Sequence, residues 1–169
     1  LTAALAKRCD RAVGVDVAPT MVEHARRNVP QAEFRESLPD EEFDFIVSLI
    51  VFQHIPVAEG MCLLRELLSR LRPGGRAALQ FTITRRGGAL RRMARGLRAN
   101  VPLVHTIASR LEGDTRNLPY MRMNGYDLDA IRVELSRAGC EEVSIEGTDH
   151  GGIEGVLIVA RKSLGIHEL

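Results

Sequence analysis

The stretch Ala12-Val13-Gly14-Val15-Asp16-Val17-Ala18-Pro19 decides the fold of this chain. A short β-branched run ends on a carboxylate and passes directly into a segment opened by proline, which suits the first turn of a helix. It reads as a strand over 12–17 followed by a helix from Pro19 to about Asn28, continued by Met21, Val22 and Ala25. A carboxylate at the tip of a buried strand is costly unless it has a partner. Asp16 is therefore the first candidate for a functional residue.

The same alternation of elements extends outward from this stretch. Leu1 to Lys7 reads as the end of a helix, with Leu1 and Leu5 at i, i+4 spacing. Ala32 to Glu36 is a short strand, and Pro39-Asp40-Glu41-Glu42 is a turn. Phe43 to Ile50 is a nearly continuous apolar run, which predicts a strand covered on both faces. Val57 to Leu71 reads as a helix with Met61, Leu64, Leu67, Leu68 and Leu71 on its buried side. Pro73-Gly74-Gly75 stops it, and Arg76 to Thr82 is the next strand.

Residues 85–126 break this rhythm. They open with the loop Arg85-Arg86-Gly87-Gly88 and continue with helical segments over 89–99 and 104–111. Alternation resumes at Asp127, an N-cap for a helix ending at Gly139. Glu142 to Glu146 and Val156 to Arg161 are the last two strands. Their connection is too short for a helical crossover, so they pair antiparallel. The whole predicts one α/β domain over 1–169, a three-layer sandwich whose mostly parallel sheet has an antiparallel terminal strand.

Composition sets limits. A chain of 169 residues with 45% hydrophobic and 27% charged residues suits a globular domain with a real core. Trp is absent and aromatics make up 4%, so Leu, Val, Ile and Ala must fill most of that core. A net charge of +1 gives no global attraction to nucleic acid. Cys9, Cys62 and Cys140 are scattered without a CxxC pair. This argues for reduced thiols in the cytoplasm and against a disulfide framework or metal site. The longest apolar run, Phe45 to Phe52, contains Ser48 and is too short to cross a bilayer.

Taken in order, four segments resemble the class I S-adenosylmethionine-dependent methyltransferases. Val13-Gly14-Val15-Asp16 with Pro19-Thr20-Met21-Val22-Glu23-His24-Ala25 is similar to the family's second strand and following helix. Leu38 to Ser48 resembles its turn into the fourth strand, and Val51-Phe52-Gln53-His54-Ile55-Pro56 the loop after it. Leu71-Arg72-Pro73-Gly74-Gly75-Arg76 resembles the turn into the fifth strand. The resemblance covers residues 1–82 and implies a Rossmann-like fold and S-adenosylmethionine as cofactor. The family's first strand and Gly-rich loop are missing from the sequence and would lie just before Leu1. A fragment of a longer product is expected. The lost strand is central in the family's sheet, so the isolated chain is expected to be marginally stable or molten.

The resemblance also implies roles. Asp16 would accept hydrogen bonds from the cofactor's ribose hydroxyls. Val17 and Met21 would lie beside the adenine, and Glu36, Ser37 and Leu38 near its edge. Ser48, Leu49 and Ile50 close the fourth strand, where the cofactor's methionine part and the methyl acceptor meet. Leu49-Ile50-Val51-Phe52 is not the Asn/Asp-Pro-Pro-Tyr/Phe motif of enzymes that methylate amino groups of bases and glutamine. His54 is the candidate catalytic base, and Gln53 beside it is expected to line the substrate pocket. His150 reads as structural, in a tight turn. Residues 83–126 are the insertion expected to cover the acceptor pocket, with Tyr120, Met121, Met123 and Tyr126 lining it. The Arg-rich stretch Arg85 to Arg98 can touch a membrane surface, although a solvated helix face is favoured. No aromatic interleaving suggests nucleic-acid binding.

The expected activity is methyl transfer to a small-molecule or lipid-like acceptor. Such transfer needs alignment more than a base, because the sulfonium is already activated. The alternative is a non-catalytic remnant that serves as a binding module. A nicotinamide-dependent oxidoreductase is the weaker third reading, since the Arg72-Pro73-Gly74-Gly75 turn has no role there and no Tyr-x-x-x-Lys motif is present.

Overall fold

A computed structural model describes residues 1–83, 123–149 and 154–165. They form two compact units, Leu1–Glu41 and Glu42–Leu169.

The first unit contains helix α1 (Thr2–Leu5), strand β1 (Val13–Val15), helix α2 (Pro19–Asn28) and strand β2 (Glu33–Arg35). β1 and β2 pair in parallel, with Gly14 opposite Phe34. The Phe34 ring lies over β1, and a Cβ on Gly14 would come within 2.6 Å of it, so this close approach requires glycine. Pro19 takes the first turn of α2 as expected, and Val22 is the buried residue of that helix. Arg26 on α2 donates from Nε and Nη2 to the Phe34 carbonyl at 3.2 and 2.7 Å, joining helix to strand.

At the amino end of this sheet Arg11 forks onto two carboxylates. Its Nε and Nη2 reach Glu33 at 2.7 and 3.0 Å, and its Nη1 and Nη2 reach Glu41 at 2.6 and 2.9 Å. The two hydrogen bonds from Arg11, with a third from Arg35, pull the Glu33 carboxyl down to about 2. Arg11 likewise lowers Glu41.

The second unit contains β3 (Phe43–Ser48), a 3₁₀ turn (Phe52–His54), α3 (Val57–Ser69), β4 (Leu71–Thr82), α4 (Leu128–Arg137), β5 (Cys140–Asp149) and β6 (Glu154–Lys162). Its sheet has the order β3-β4-β6-β5. β3 runs parallel to β4, and β6 is antiparallel to both β4 and β5. The antiparallel final pair is thus as the short connection required.

The strand covered on both faces is β4 rather than β3. Ala77, Leu79 and Phe81 are buried on one face of β4, while Gln80 is buried on the other. β3 has one sheet neighbour among the described residues, and Phe45 is 44% exposed. Its continuous apolar run does not correspond to two covered faces.

Leu64 and Leu68 of α3 fill the core as their helical spacing predicts, joined by Ile131 and Leu135 of α4. The helix ends at Ser69, so Leu71 is the buried first residue of β4 and Pro73-Gly74-Gly75 lies within that strand instead of stopping α3, while Met61 is half-buried. Aromatics, though scarce, sit at its centre. Phe52 lies 4.3 Å from Phe81, and Tyr126 meets both edge-on, with centroids 5.9 and 5.3 Å away. Glu134, buried on α4, is held by Arg65 of α3 at 3.1 Å and by Arg137 at 3.3 Å. Lys162 of β6 donates to the carbonyls of Leu68 and Leu71 where α3 gives way to β4. Asp127 caps α4, accepting from Asp129 N at 2.9 Å. No helix among the described residues is long and apolar enough to cross a membrane.

Candidate functional site

In open α/β sheets, ligands gather off the carboxyl ends of the strands. In the first unit, parallel pairing sends β1 and β2 out at the same end. Asp16 follows β1 there, its amide donating to the Arg35 carbonyl at 3.1 Å. Asp16 Oδ1 accepts from Ala18 N at 2.9 Å, an Asx turn leading into α2. The carboxylate is exposed, so the burial cost that first singled it out does not arise. Val17 beside it is 88% exposed, and Met21, in the first turn of α2, is 53% exposed. Exposed Glu36 and Ser37 and half-buried Leu38 follow β2 at this same end. The structure thus places Asp16 and Val17 at the same end of the β1–β2 pair as Glu36–Leu38.

In the second unit, β3 ends at half-buried Ser48, followed by exposed Leu49, Ile50 and Val51. Ile50 has φ 61°, and it is the one non-glycine residue at positive φ among the described residues. A β-branched side chain is strained in that region. The 3₁₀ turn that follows is closed by His54 N on Val51 O and Ile55 N on Phe52 O, both at 3.0 Å.

This turn carries Gln53 and His54. Thr82 at the end of β4 donates from Oγ1 to Gln53 Oε1 at 3.4 Å, leaving the Gln53 amide nitrogen 3.1 Å from His54 Nε2. With the Gln53 amide in this orientation its nitrogen donates, so the contact requires an unprotonated His54 Nε2 and a ring proton on Nδ1. A proton reaching Nε2 must displace Gln53 or turn its amide over. His54 is exposed.

Tyr126 departs from its expected place in an acceptor wall. It is 0% exposed, and its hydroxyl is directed at the carbonyls of Phe52 and Ile55, at 3.0 and 2.9 Å. Burial, and then the negative charge of Glu59, push the phenol pKa up. The phenol therefore stays protonated and donates. Gly60 makes room for it, since a Cβ there would lie 2.0 Å from the tyrosine oxygen. Half-buried Met123 begins the segment that leads to Tyr126. Tyr120, Met121, His150, the Arg85 to Arg98 stretch and the helical segments expected over 89–111 lie outside the described residues.

Thr82, Asn124 and Gly60 were not singled out by the sequence. Each supports the His54 turn from a distant part of the chain, and a partner contributed by folding leaves no periodic signal in the sequence.

Residues 1–79 match the sequence model of the family described as methyltransferase domain. Ribosomal protein L11 methyltransferase of Burkholderia multivorans (strain ATCC 17616 / 249) is 37% identical over 93 residues, which take in 50% of this chain and 29% of that protein. The chain thus spans less than a third of the curated relatives it matches. Magnesium protoporphyrin IX methyltransferase from Synechocystis PCC 6803, crystallised with SAH, superposes with a TM-score of 0.67 at 19% identity, covering 96% of this chain and 69% of that one. The N-methyltransferase NodS from Bradyrhizobium japonicum WM9, in complex with S-adenosyl-L-homocysteine, gives a TM-score of 0.58 at 14% identity, covering 95% and 71%. Over residues 1–79 the chain is similar to the methyltransferase-domain family, and its fold is similar to that of these solved methyltransferases.

Proposed function

We propose that this chain takes part in S-adenosylmethionine-dependent methyl transfer to a small-molecule or lipid-like acceptor. The observation that carries the reading is the end of β3. Leu49, Ile50 and Val51 are exposed there, and the polar pair Gln53–His54 follows them. An apolar ledge with one imidazole suits an acceptor that presents a hydroxyl or amine on an otherwise apolar body.

In this reading the cofactor's ribose diol is held by the exposed Asp16 carboxylate. Its adenine lies against Val17 and Met21, with Glu36, Ser37 and Leu38 at the edge. The family resemblance assigns Ser48 and Leu49 to its methionine part. The cofactor supplies an activated methyl group, and the chain's own residues align the acceptor. His54, with its proton on Nδ1, positions the acceptor through that N–H. It serves as a base only once Gln53 gives up Nε2.

Calorimetric titration of S-adenosylhomocysteine into the protein as its gene encodes it tests this. Binding that Asp16→Ala weakens about ten- to a hundredfold is expected, from loss of charge-assisted hydrogen bonds of about 1.5–3 kcal/mol. Absence of binding by well-folded protein would remove the reading and favour a non-catalytic binding module.

A further inference from the structure

Two segments distant in sequence meet at the turn that carries Gln53 and His54. The turn enters through Ile50 at φ 61° and has two local backbone hydrogen bonds of its own, His54 N to Val51 O and Ile55 N to Phe52 O. A strained entry persists where surrounding structure over-determines it, and here the surroundings come from Asn124 and Tyr126. Asn124 donates to the Gln53 carbonyl twice, from its backbone N at 2.8 Å and from Nδ2 at 3.2 Å. The Tyr126 hydroxyl reaches the carbonyls of Phe52 and Ile55. Three carbonyls of one short turn are thus held by two residues some seventy positions away.

Both residues are themselves fixed. Tyr126 N donates to Thr82 O at 2.8 Å, and Ile83 and Tyr126 form a parallel bridge. The Tyr126 ring is wedged between Phe52, Phe81 and the bare Cα of Gly60. Thr82, to which it is tied, is the same residue that orients the Gln53 amide toward His54.

We propose that Asn124 and Tyr126 are positioning residues, clamping the Val51–Ile55 turn in the conformation that presents the Gln53–His54 pair at the carboxyl end of β3. Neither touches the reacting groups. They act by fixing the carbonyls around Gln53, and hence which nitrogen of His54 carries its proton. The inference rests on reading this turn as the acceptor side of the site.

The test is therefore read on His54 itself, without methyl transfer. Tyr126→Phe removes the hydroxyl and keeps the ring in the aromatic cluster. In ¹⁵N-labelled protein, amide exchange at His54 and Ile55 is expected to accelerate about tenfold, with Ala77 and Ala160 of the β4–β6 ladder unchanged. The His54 ring nitrogens should move from the Nδ1–H signature toward the mixed tautomers of a free imidazole. Asn124→Ala, which spares the backbone donor, should move the same signals by less. A folded Tyr126→Phe variant with unaltered His54 ring and turn amides would overturn the proposal. Should that variant loosen the whole sheet, Asn124→Ala decides. An unmoved His54 ring there refutes the clamp, and a selective shift supports it. Failure of S-adenosylhomocysteine to bind bears on the functional reading alone.

Discussion

Replacing Gly60 by alanine is expected to destabilise the second unit, although alanine is the better helix former. Gly60 lies in the first turns of α3, where the exchange would by itself gain about 1 kcal/mol of helix propensity. Against this, the new Cβ would stand 2.0 Å from the Tyr126 oxygen, 2.8 Å from Cζ and 2.9 Å from Cε1. The ring cannot step aside. It is fully buried against Phe52 and Phe81, and its hydroxyl is committed to the carbonyls of Phe52 and Ile55. Overpacking of this kind costs about 1–3 kcal/mol, and displacing the hydroxyl forfeits about 0.5–1.5 kcal/mol more. The balance is a loss of about 0.5–3.5 kcal/mol. At a urea dependence of about 2 kcal/mol/M, a mid-range loss of about 2 kcal/mol lowers the unfolding midpoint by about 1 M. Equilibrium urea unfolding of Gly60→Ala alone, Tyr126→Phe alone and the double variant gives both the cost and the coupling. The alanine should cost less when the hydroxyl is already gone. An unchanged or raised midpoint for Gly60→Ala would refute the seating of Tyr126 against α3.

Further outcomes follow from the same geometry. Glu33, with its carboxyl at about 2 instead of the usual 4.5, contributes stability to the first unit that is present above about pH 4.5 and lost as pH falls through 2. A side-chain NMR titration should find that low midpoint, and Arg11→Gln should return it toward the ordinary value. Asp127→Ala removes the N-cap of α4 and should cost about 1 kcal/mol in chemical unfolding, with Asp127→Asn nearly silent. Ile50→Gly should leave stability within about 1 kcal/mol of the parent, because relief of a left-handed β-branched residue offsets glycine's greater entropy loss. Ile158→Ala, in the wholly buried β6 position, should cost about 2–5 kcal/mol in the same assay.

The sequence by itself determined the element order and much of the local chemistry. Pro19 and Asp127 mark helix starts through constraints that act within a few residues, proline's fixed φ and a side-chain oxygen on a nearby amide. The leucine spacing of α3 and the short link between β5 and β6 are equally local, and they fixed a buried helix face and an antiparallel pair. Asp16 was legible as a residue at a strand tip. Its exposure was not, because burial depends on what packs over a strand end.

The tertiary structure alone decided how far each strand is covered. The apolar run of β3 leaves Phe45 44% exposed, whereas β4 lies inside its sheet and buries Leu79 and Gln80 on opposite faces. It alone converted Tyr126 from a pocket residue into a buried support. It alone brought Thr82 and His54 to the two ends of the Gln53 amide. Hydrogen bonds between residues roughly thirty to seventy positions apart exist only once the chain has folded, so no spacing rule in the sequence encodes them.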